Sequence, residues 1–393
     1  MTLRTELNPT NKTKEGKANL HLAARSDAER RVFYNPRMSL NRDIAILFSQ
    51  SYFSRKIRVC DPMTGSGVRA VRYVLESPNV YQVVAADTDS DAVEVAKQTA
   101  EINRAADAIS ILETEANLLL LNSTSERFDL VDLDPFGSPA PFFESAARAT
   151  IDGGVIAATA TDMAPLTGAR ASACVRKYGV RPVRVEFEKE MAVRILAGCL
   201  ATITGRLELG VEIVFSHASD HYARIYAAIR KGRAFANQST KMTGFIEYCS
   251  KCLNRTSHYS LESIHPKCEN CGSETRIGGP IWLGPLWDNR TVPLMIGHTA
   301  SLDSSRMSDV QKLLSLIDEE KSAPAFYYRT DAFAKRLKAK PASMQKLLAA
   351  LQQSGYHSTR THFHPNGFRT DAKIGEIASL IHSLTKKTQS HKI

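Results

Sequence analysis

The chain has 393 residues, a formal net charge of +10 and 43% hydrophobic residues. That length exceeds one ordinary domain and is ample for a buried core, so no stapling by disulfides is required. Charged residues at 23% beside this apolar share exclude wholesale disorder, and no run approaches the roughly 18 to 20 apolar residues of a membrane span.

The opening Met1–Lys17 is polar and lacks the apolar core of a secretory signal, which points to a cytoplasmic protein. From Ile57 onward, apolar runs alternate with amphipathic stretches, the signature of β-α-β winding. Strands are expected at Ile57–Asp61, Val80–Asp87, Ile109–Thr114, Phe128–Asp134 and Gly154–Thr161, with helices at Val68–Glu76, Asp91–Arg104 and Pro139–Thr150. Continuous apolar strands such as VVAAD imply a parallel sheet covered on both faces. A longer helix follows at Lys189–Thr204. Leu209–His217 and Tyr222–Lys231 then read as two strands across a short turn, so the sheet ends in an antiparallel hairpin.

Past Lys231 the texture changes. Gly232–Thr243 is polar and reads as a linker, a cysteine cluster spans Cys249–Cys271, and IGGPIWLGPLW is irregular. Helical periodicity returns in VQKLLSLIDEE, DAFAKRLKAK and SMQKLLAALQQSG, where Gly355 is placed to cap the last helix. With YHSTRTHFHPNGFRTD these make a small α+β unit. Three parts result: a wound α/β domain over residues 1–235, a metal ribbon over 243–277 and a basic C-terminal domain over 278–393. From Ser322 to Ile393 there are 12 Lys/Arg against 3 Asp/Glu, nearly all of the excess charge. That asymmetry points to a polyanionic partner held by the C-terminal domain.

The most informative stretch is Val59–Ala70, VCDPMTGSGVRA. A strand ends in Asp61, and Gly65 and Gly67 let backbone approach a ligand at the N-terminus of the next helix. Asp87 ends the following strand about 20 residues on, where a carboxylate can accept both hydroxyls of a ribose. The turn is neither G-x-G-x-x-G nor a P-loop, which favours a nucleoside without a phosphate chain, S-adenosylmethionine (AdoMet). A plain strand-to-helix turn is the competing reading.

Asp134-Pro135-Phe136-Gly137 stands at the C-terminal edge of the fourth strand, the edge at which open parallel sheets bind ligands. An acidic residue before proline and an aromatic suits a base whose exocyclic amine is methylated, and such an amine, its lone pair delocalised into the ring, is a poor nucleophile. A carboxylate accepting its N–H draws density back onto nitrogen, and Phe136 can stack on the flat base. In the bland alternative, Asp134 caps the next helix and Phe136 joins the core. Upstream, RVFYNP and NRD place Phe33 to stack opposite Phe136 and Arg42 to meet the AdoMet carboxylate, although Phe33 also suits a core anchor. Cys60, Cys174 and Cys199 all lie away from this edge, so direct transfer to nitrogen is favoured over a covalent thiol mechanism.

Cys249-x2-Cys252-x15-Cys268-x2-Cys271 has the spacing of a four-thiolate zinc ribbon. Four protein ligands leave no open position, so Zn2+ would be structural; His258 and His265 lie inside the loop as alternative donors.

Together, VFYNPRMSLNRD, DPMTGSGVRA, AADTD, EANLLL, DLDPFGSP, TATDMAPLTG, the cysteine cluster and RTHFHPNGFRTD resemble one family, the archaeal and eukaryotic tRNA guanine-N2-dimethyltransferases acting at tRNA position 26. The resemblance implies a class I methyltransferase fold with a family-specific C-terminal domain. It also implies AdoMet contacts at Arg42, Arg69, Asp87, Glu115 and Ala116, a catalytic Asp134, base-stacking Phe33 and Phe136, and zinc at the four cysteines. Glu115 departs from the aspartate usual before that alanine. tRNA is the implied partner; no membrane or protein partner is indicated. Two rivals are an amino-group methyltransferase acting on DNA or ribosomal RNA, and a non-catalytic RNA-binding protein with an inactive fold.

Overall fold

The computed structural model describes residues 11–22, 34–219, 221–338 and 340–387. Strands β1 (Asn11–Glu15) and β2 (Ala18–Leu22) form an antiparallel hairpin ahead of helix α1 (Ser39–Tyr52). The winding then runs β3 (Ile57–Asp61), α2 (Val68–Glu76), β4 (Val80–Asp87), α3 (Ser90–Ile102), β5 (Ile109–Glu113), α4 (Ala116–Asn122), β6 (Phe128–Leu133), α5 (Phe143–Ala149) and β7 (Thr150–Ala160). Short helices α6 (Met163–Leu166) and α7 (Ala171–Tyr178) lead to the long α8 (Glu188–Gly205). The hairpin β8 (Leu209–Ala218) and β9 (Ala223–Lys231) follows, and then α9 (Arg233–Lys241). A second sheet contains β10 (Thr243–Tyr248), β11 (Arg255–His258) and β12 (Arg276–Trp282). The remainder comprises α10 (Thr291–His298), α11 (Met307–Glu320), β13 (Tyr328–Arg329), α12 (Thr330–Leu337), α13 (Met344–Gln353), β14 (Ser358–Arg360), β15 (Gly367–Thr370) and α14 (Ile374–Lys387).

The main sheet has seven strands in the order β5-β4-β3-β6-β7-β9-β8. Counted from its own first strand, this is 3-2-1-4-5-7-6. Pairings among β5, β4, β3, β6 and β7 are parallel, and β8 is antiparallel to β9. The expected doubly wound sheet closing in an antiparallel hairpin is therefore present. The strand order reverses between β3 and β6, and the crevice above such a reversal is where wound sheets hold ligands. The expected β3, α2 and β4 match residue for residue.

The chain divides into two compact units made of discontinuous segments. The first comprises Met1–Pro135, Phe142–Ala158 and Arg290–Leu314; the second comprises Phe136–Pro141, Thr159–Asn289 and Ser315–Ile393. In the first, Val59, Cys60, Val83, Ala85, Leu130 and Val131 are buried with Val71 and Tyr73 of α2. The β1–β2 hairpin packs on α2 and α3. Its Gly16 has φ +57°, and a Cβ there would lie 2.3 Å from Glu76 Oε1, so only glycine fits the turn.

In the second unit α8 is buried along most of its length. Gly198 lets it approach β12, since a Cβ there would lie 2.9 Å from the backbone nitrogen of Trp282. The expected linker at Gly232–Thr243 is in fact mostly helix α9. Phe235 apart, most of its exposed residues are polar, as in a linker, but Ala236 and Ser239 are buried, and the Val211 N–H donates to Ser239 Oγ at 2.7 Å. The small C-terminal α+β texture is present in β13–β15 with α12–α14, and Gly355, with φ +86°, follows α13 as anticipated.

Candidate functional site

In the first unit, three carboxylates stand at or just beyond the C-terminal ends of adjacent strands: Asp61 ends β3, Asp87 ends β4 and Glu115 lies just beyond β5. The turn after β3 is tied to β4 twice. The Thr64 N–H donates to the Ala86 carbonyl at 2.8 Å, and the Gly65 N–H donates to Asp87 Oδ2 at 2.9 Å. Gly65 and Gly67 have φ of +52° and +76°. A Cβ on Gly67 would sit 2.9 Å from Ala96 Cα, so close packing of α2 on α3 also requires this glycine. Asp61 is buried and accepts from Thr64 Oγ1 at 2.8 Å. Burial pushes its carboxyl up to about 7, against the opposing pull of Arg69.

Asp87 is half-buried, and its second oxygen accepts the Asp89 N–H at 3.1 Å. Glu115 caps α4 by accepting the Leu118 N–H at 3.0 Å, with Ala116 buried beside it. This donor set, carboxylates and a glycine turn without a phosphate-gripping lysine, fits a nucleoside cofactor such as AdoMet.

Asp134 follows β6 in the same unit. Its carboxylate forms an ion pair with Arg69 Nη2, whose other partners are Asp132 Oδ2 at 3.0 Å through Nη1 and Asn41 Oδ1 at 3.1 Å. Tyr73 donates its hydroxyl to Asp132 at 2.7 Å. Burial disfavours a charged Arg69, but Asp132 and Asp134 outweigh it and hold the guanidinium firmly protonated. Asp132, Tyr73 and Asn41 escaped the sequence reading. The signal for the first was present: in the strand DLD, alternation places Asp132 and Asp134 on one face.

Arg42 is engaged elsewhere. It makes a bidentate pair with Glu15, which also meets Arg72 Nη1 at 3.0 Å and the Tyr34 hydroxyl at 2.9 Å. Burial raises the Glu15 carboxyl, but Arg42 and Arg72 prevail and lower it. Arg72 is wholly buried against Asp43 at 2.7 Å and Glu76 at 2.7 Å. Arg72–Glu76 is an i,i+4 pair within α2, but nothing local in the sequence announces the pairings of Arg42 and Arg72 with Glu15 or of Arg72 with Asp43.

In the second unit, Phe136 is 76% exposed. The turn carrying it is latched to the end of β7: the Gly137 N–H donates to Thr161 Oγ1 at 2.8 Å, and the Thr161 N–H donates to the Gly137 carbonyl at 2.9 Å. Phe33, the expected second stacking ring, lies outside the described residues.

The four cysteines of the ribbon converge, with all four Sγ atoms within 4.8 Å of one another. Sγ of Cys249 and Cys271 are 3.5 Å apart, as are those of Cys252 and Cys268. A tetrahedron with Zn–S bonds of 2.3 Å has edges of about 3.8 Å, so the cluster is compatible with zinc. The two knuckles share a geometry. Leu253 N–H returns to the Cys249 carbonyl at 2.9 Å and Gly272 N–H to that of Cys268 at 2.8 Å, both residues having φ +68°. Hydrogen bonds from the Ser273 backbone and hydroxyl pull the Cys271 thiol down to about 6. His258 is turned to Glu247 at 3.0 Å, and His265 is not part of the cluster.

A family model described as N2,N2-dimethylguanosine tRNA methyltransferase matches residues 11–382. The chain belongs to that family. A tRNA (guanine(26)-N(2))-dimethyltransferase of Methanothermobacter thermautotrophicus is 36% identical over 357 residues, 90% of this chain and 93% of the relative. A tRNA (guanine(26)-N(2)/guanine(27)-N(2))-dimethyltransferase of Aquifex aeolicus is 34% identical over 358 residues, 90% of each. Among solved structures, Trm1 from Pyrococcus horikoshii in complex with AdoMet superposes with a TM-score of 0.85 at 32% identity, covering 94% of this chain and 99% of that one. Family membership makes this chain an AdoMet-dependent tRNA methyltransferase of the guanine-N2 type, and the resemblance read from its motifs is borne out. Among the described residues, no helix is long and apolar enough to cross a membrane.

Proposed function

We propose that this member of the family transfers one or two methyl groups from AdoMet to the exocyclic N2 of guanine 26 of tRNA, by direct transfer assisted by Asp134. The observation that carries the reading is the placement of Asp134. It stands just past the C-terminal end of β6, at the reversal of strand order, aimed by Arg69 and two residues from an exposed aromatic. The bound cofactor supplies an electrophilic methyl carbon; the chain's own side chains do the rest. Phe136 stacks on the base, and the same role is assigned to Phe33 on its sequence motif alone. Asp134 accepts a hydrogen bond from N2–H, raising the density on nitrogen as its lone pair forms the new N–C bond and the S–C bond breaks. The proton released from N2 goes to the Asp134 carboxylate and then to solvent. N2 retains one hydrogen, so a second transfer repeats the step.

Asp61, Gly65, Gly67, Arg69, Asp87, Glu115 and Ala116 form the cofactor side of this site, with Arg42 reaching it only by leaving Glu15. The three-part division of the chain goes with this assignment: residues 1–235 carry the chemistry, 243–277 a structural zinc ribbon and 278–393 a basic tRNA-binding domain. Asp134→Ala should abolish methylation, a loss of at least about 10²-fold given the usual size of acid–base and electrostatic contributions, while AdoMet still binds. Nucleoside mass spectrometry of tRNA incubated with labelled AdoMet reads the product and its position. Undiminished turnover in the variant would refute the role of Asp134, and label at a base other than guanine 26 would refute the target.

A further inference from the structure

We infer that the segment running from α6 to Arg184, beside the Phe136 turn, is a phosphate-binding surface that grips the RNA backbone next to the target base. The inference rests on the tRNA reading above and adds a contact surface outside the C-terminal domain. Residues 163–185 contain five cations, Arg170, Arg176, Lys177, Arg181 and Arg184, and no acidic residue. All five are exposed. Lys177 is paired with Asp162 at 2.8 Å, whereas the four arginines have no acidic partner among the described residues. Four unpaired guanidiniums within fifteen residues repel one another, a cost that a polyanion removes. Four of the five cations are arginine, whose planar fork matches phosphate oxygens in a way lysine does not.

The second observation is where this surface is fastened. Tyr178, at the end of α7, is anchored by its hydroxyl to Asp162 Oδ1 at 2.5 Å and also interacts with Ser138. Asp162 follows Thr161, which is doubly hydrogen-bonded to Gly137, the neighbour of Phe136. The arginine-bearing helix is thus joined to the base-stacking turn through two short polar links within one compact unit. Beyond Gly179, exposed Arg181 and Arg184 alternate with buried Val180, Val183 and Val185. The valines fix the backbone, and Arg181 is pinned by reciprocal backbone bonds to Gly279 at 3.1 and 2.9 Å. A rigid cationic ledge beside a flipped base can hold the flanking phosphates while the base is withdrawn.

The test compares tRNA binding by the full chain, from about 50 to 200 mM salt, with that of a variant carrying glutamine at Arg170, Arg176, Arg181 and Arg184. Loss of four phosphate contacts should reduce the slope of log affinity against log salt by about 3 and weaken binding at the low end at least ~10-fold. Melting temperature and AdoMet affinity should not move, because these side chains hold no partner. A charge-matched variant with glutamine at Lys56, Lys97, Arg148 and Lys241 should keep the wild-type slope. An unchanged slope in the arginine variant, or an equal loss in the charge-matched one, overturns the inference. Should the fourfold variant fold poorly, the two double variants, Arg170 with Arg176 and Arg181 with Arg184, must each lower the slope by about half as much. Failure of the wild-type chain to bind tRNA in a salt-dependent way would instead sink the tRNA reading itself, so the two failures are distinguishable.

Discussion

Arg69 shows how one side chain can serve two acids. Its fork meets buried Asp132 with one nitrogen and Asp134 with the other, so the carboxylate proposed to face the base cannot rotate freely. Gly67 is equally constrained, by geometry and not by charge. Its positive φ disfavours any side chain by roughly 1–2 kcal/mol, and the missing Cβ leaves room for Ala96 at the seam of α2 and α3. Gly67→Ala should therefore shift the turn that carries Gly65 and ties it to Asp87, and weaken AdoMet binding at least ~10-fold, as read by titration calorimetry. Unchanged affinity would show that the turn absorbs a methyl group without moving. The glycines were legible in TGSG, because a strand ending at Asp61 and a helix opening at Val68 leave little else for that turn to be. The aim of Arg69 was not legible: it depends on a helix and a strand more than sixty residues apart in sequence lying side by side.

At the scale of elements, the cysteine ribbon is buried along β10 and β12, at Ile246, Tyr248, Ile281 and Trp282, but thinly covered at its edge strand β11. β11 carries no buried residue, and its exposed neighbours include Tyr259 and Leu261. Cross-linking by a metal can replace the missing apolar burial at that edge. The purified chain should carry one zinc per molecule by elemental analysis. Cys268→Ser should lose that zinc and lower the melting temperature by several degrees; a metal-free wild type with an undiminished transition would exclude the structural role. The spacing of the cysteines was readable before any fold was known, since two CxxC knuckles constrain four thiols to converge. Helix α9 was not, because its outward face has the composition of a linker and only packing shows that Ala236 and Ser239 point inward. The β1–β2 hairpin escaped for a related reason: it is polar in sequence, yet Ala18 and Leu20 are buried, Glu15 pairs with Arg42 and Arg72, and the Lys17 N–H donates to Glu76 Oε1 at 3.0 Å.

At the scale of the whole molecule, each unit contains a buried ionic network. In the second, Glu190 meets Arg194 at 2.9 Å and Arg369 at 3.0 Å, and accepts the Phe326 and Tyr327 N–H groups at 2.9 and 3.2 Å. Arg369 also meets Glu320, which accepts from His362. Burial alone would raise the Glu190 carboxyl, but Arg369, Arg194 and the Phe326 N–H bring it down from 4.5 to about 2. A carboxylate whose folded pKa is depressed adds stability that is complete above its unfolded value and vanishes as pH falls through the folded one. Glu190→Gln should therefore cost about 3–5 kcal/mol at pH 7, and its deficit against wild type should narrow between pH 4.5 and 2 in denaturant titrations. A gap constant across that window would show that Glu190 is not held ionised by its partners.

The sequence by itself determined the strands and most helices of the wound sheet, the glycine turn, the Asp134 motif, the zinc spacing and the family, because each is written in local periodicity or in residues close along the chain. Tertiary structure decided what those residues touch. It turned Arg42 to Glu15, set Arg69 between two aspartates and latched the Phe136 turn to Thr161. It also gathered Glu190, Glu320 and Arg369 into one buried cluster. Contacts of this kind join residues tens to hundreds of positions apart, and their partners are selected by the desolvation cost of leaving a buried charge alone, a quantity that no local pattern encodes.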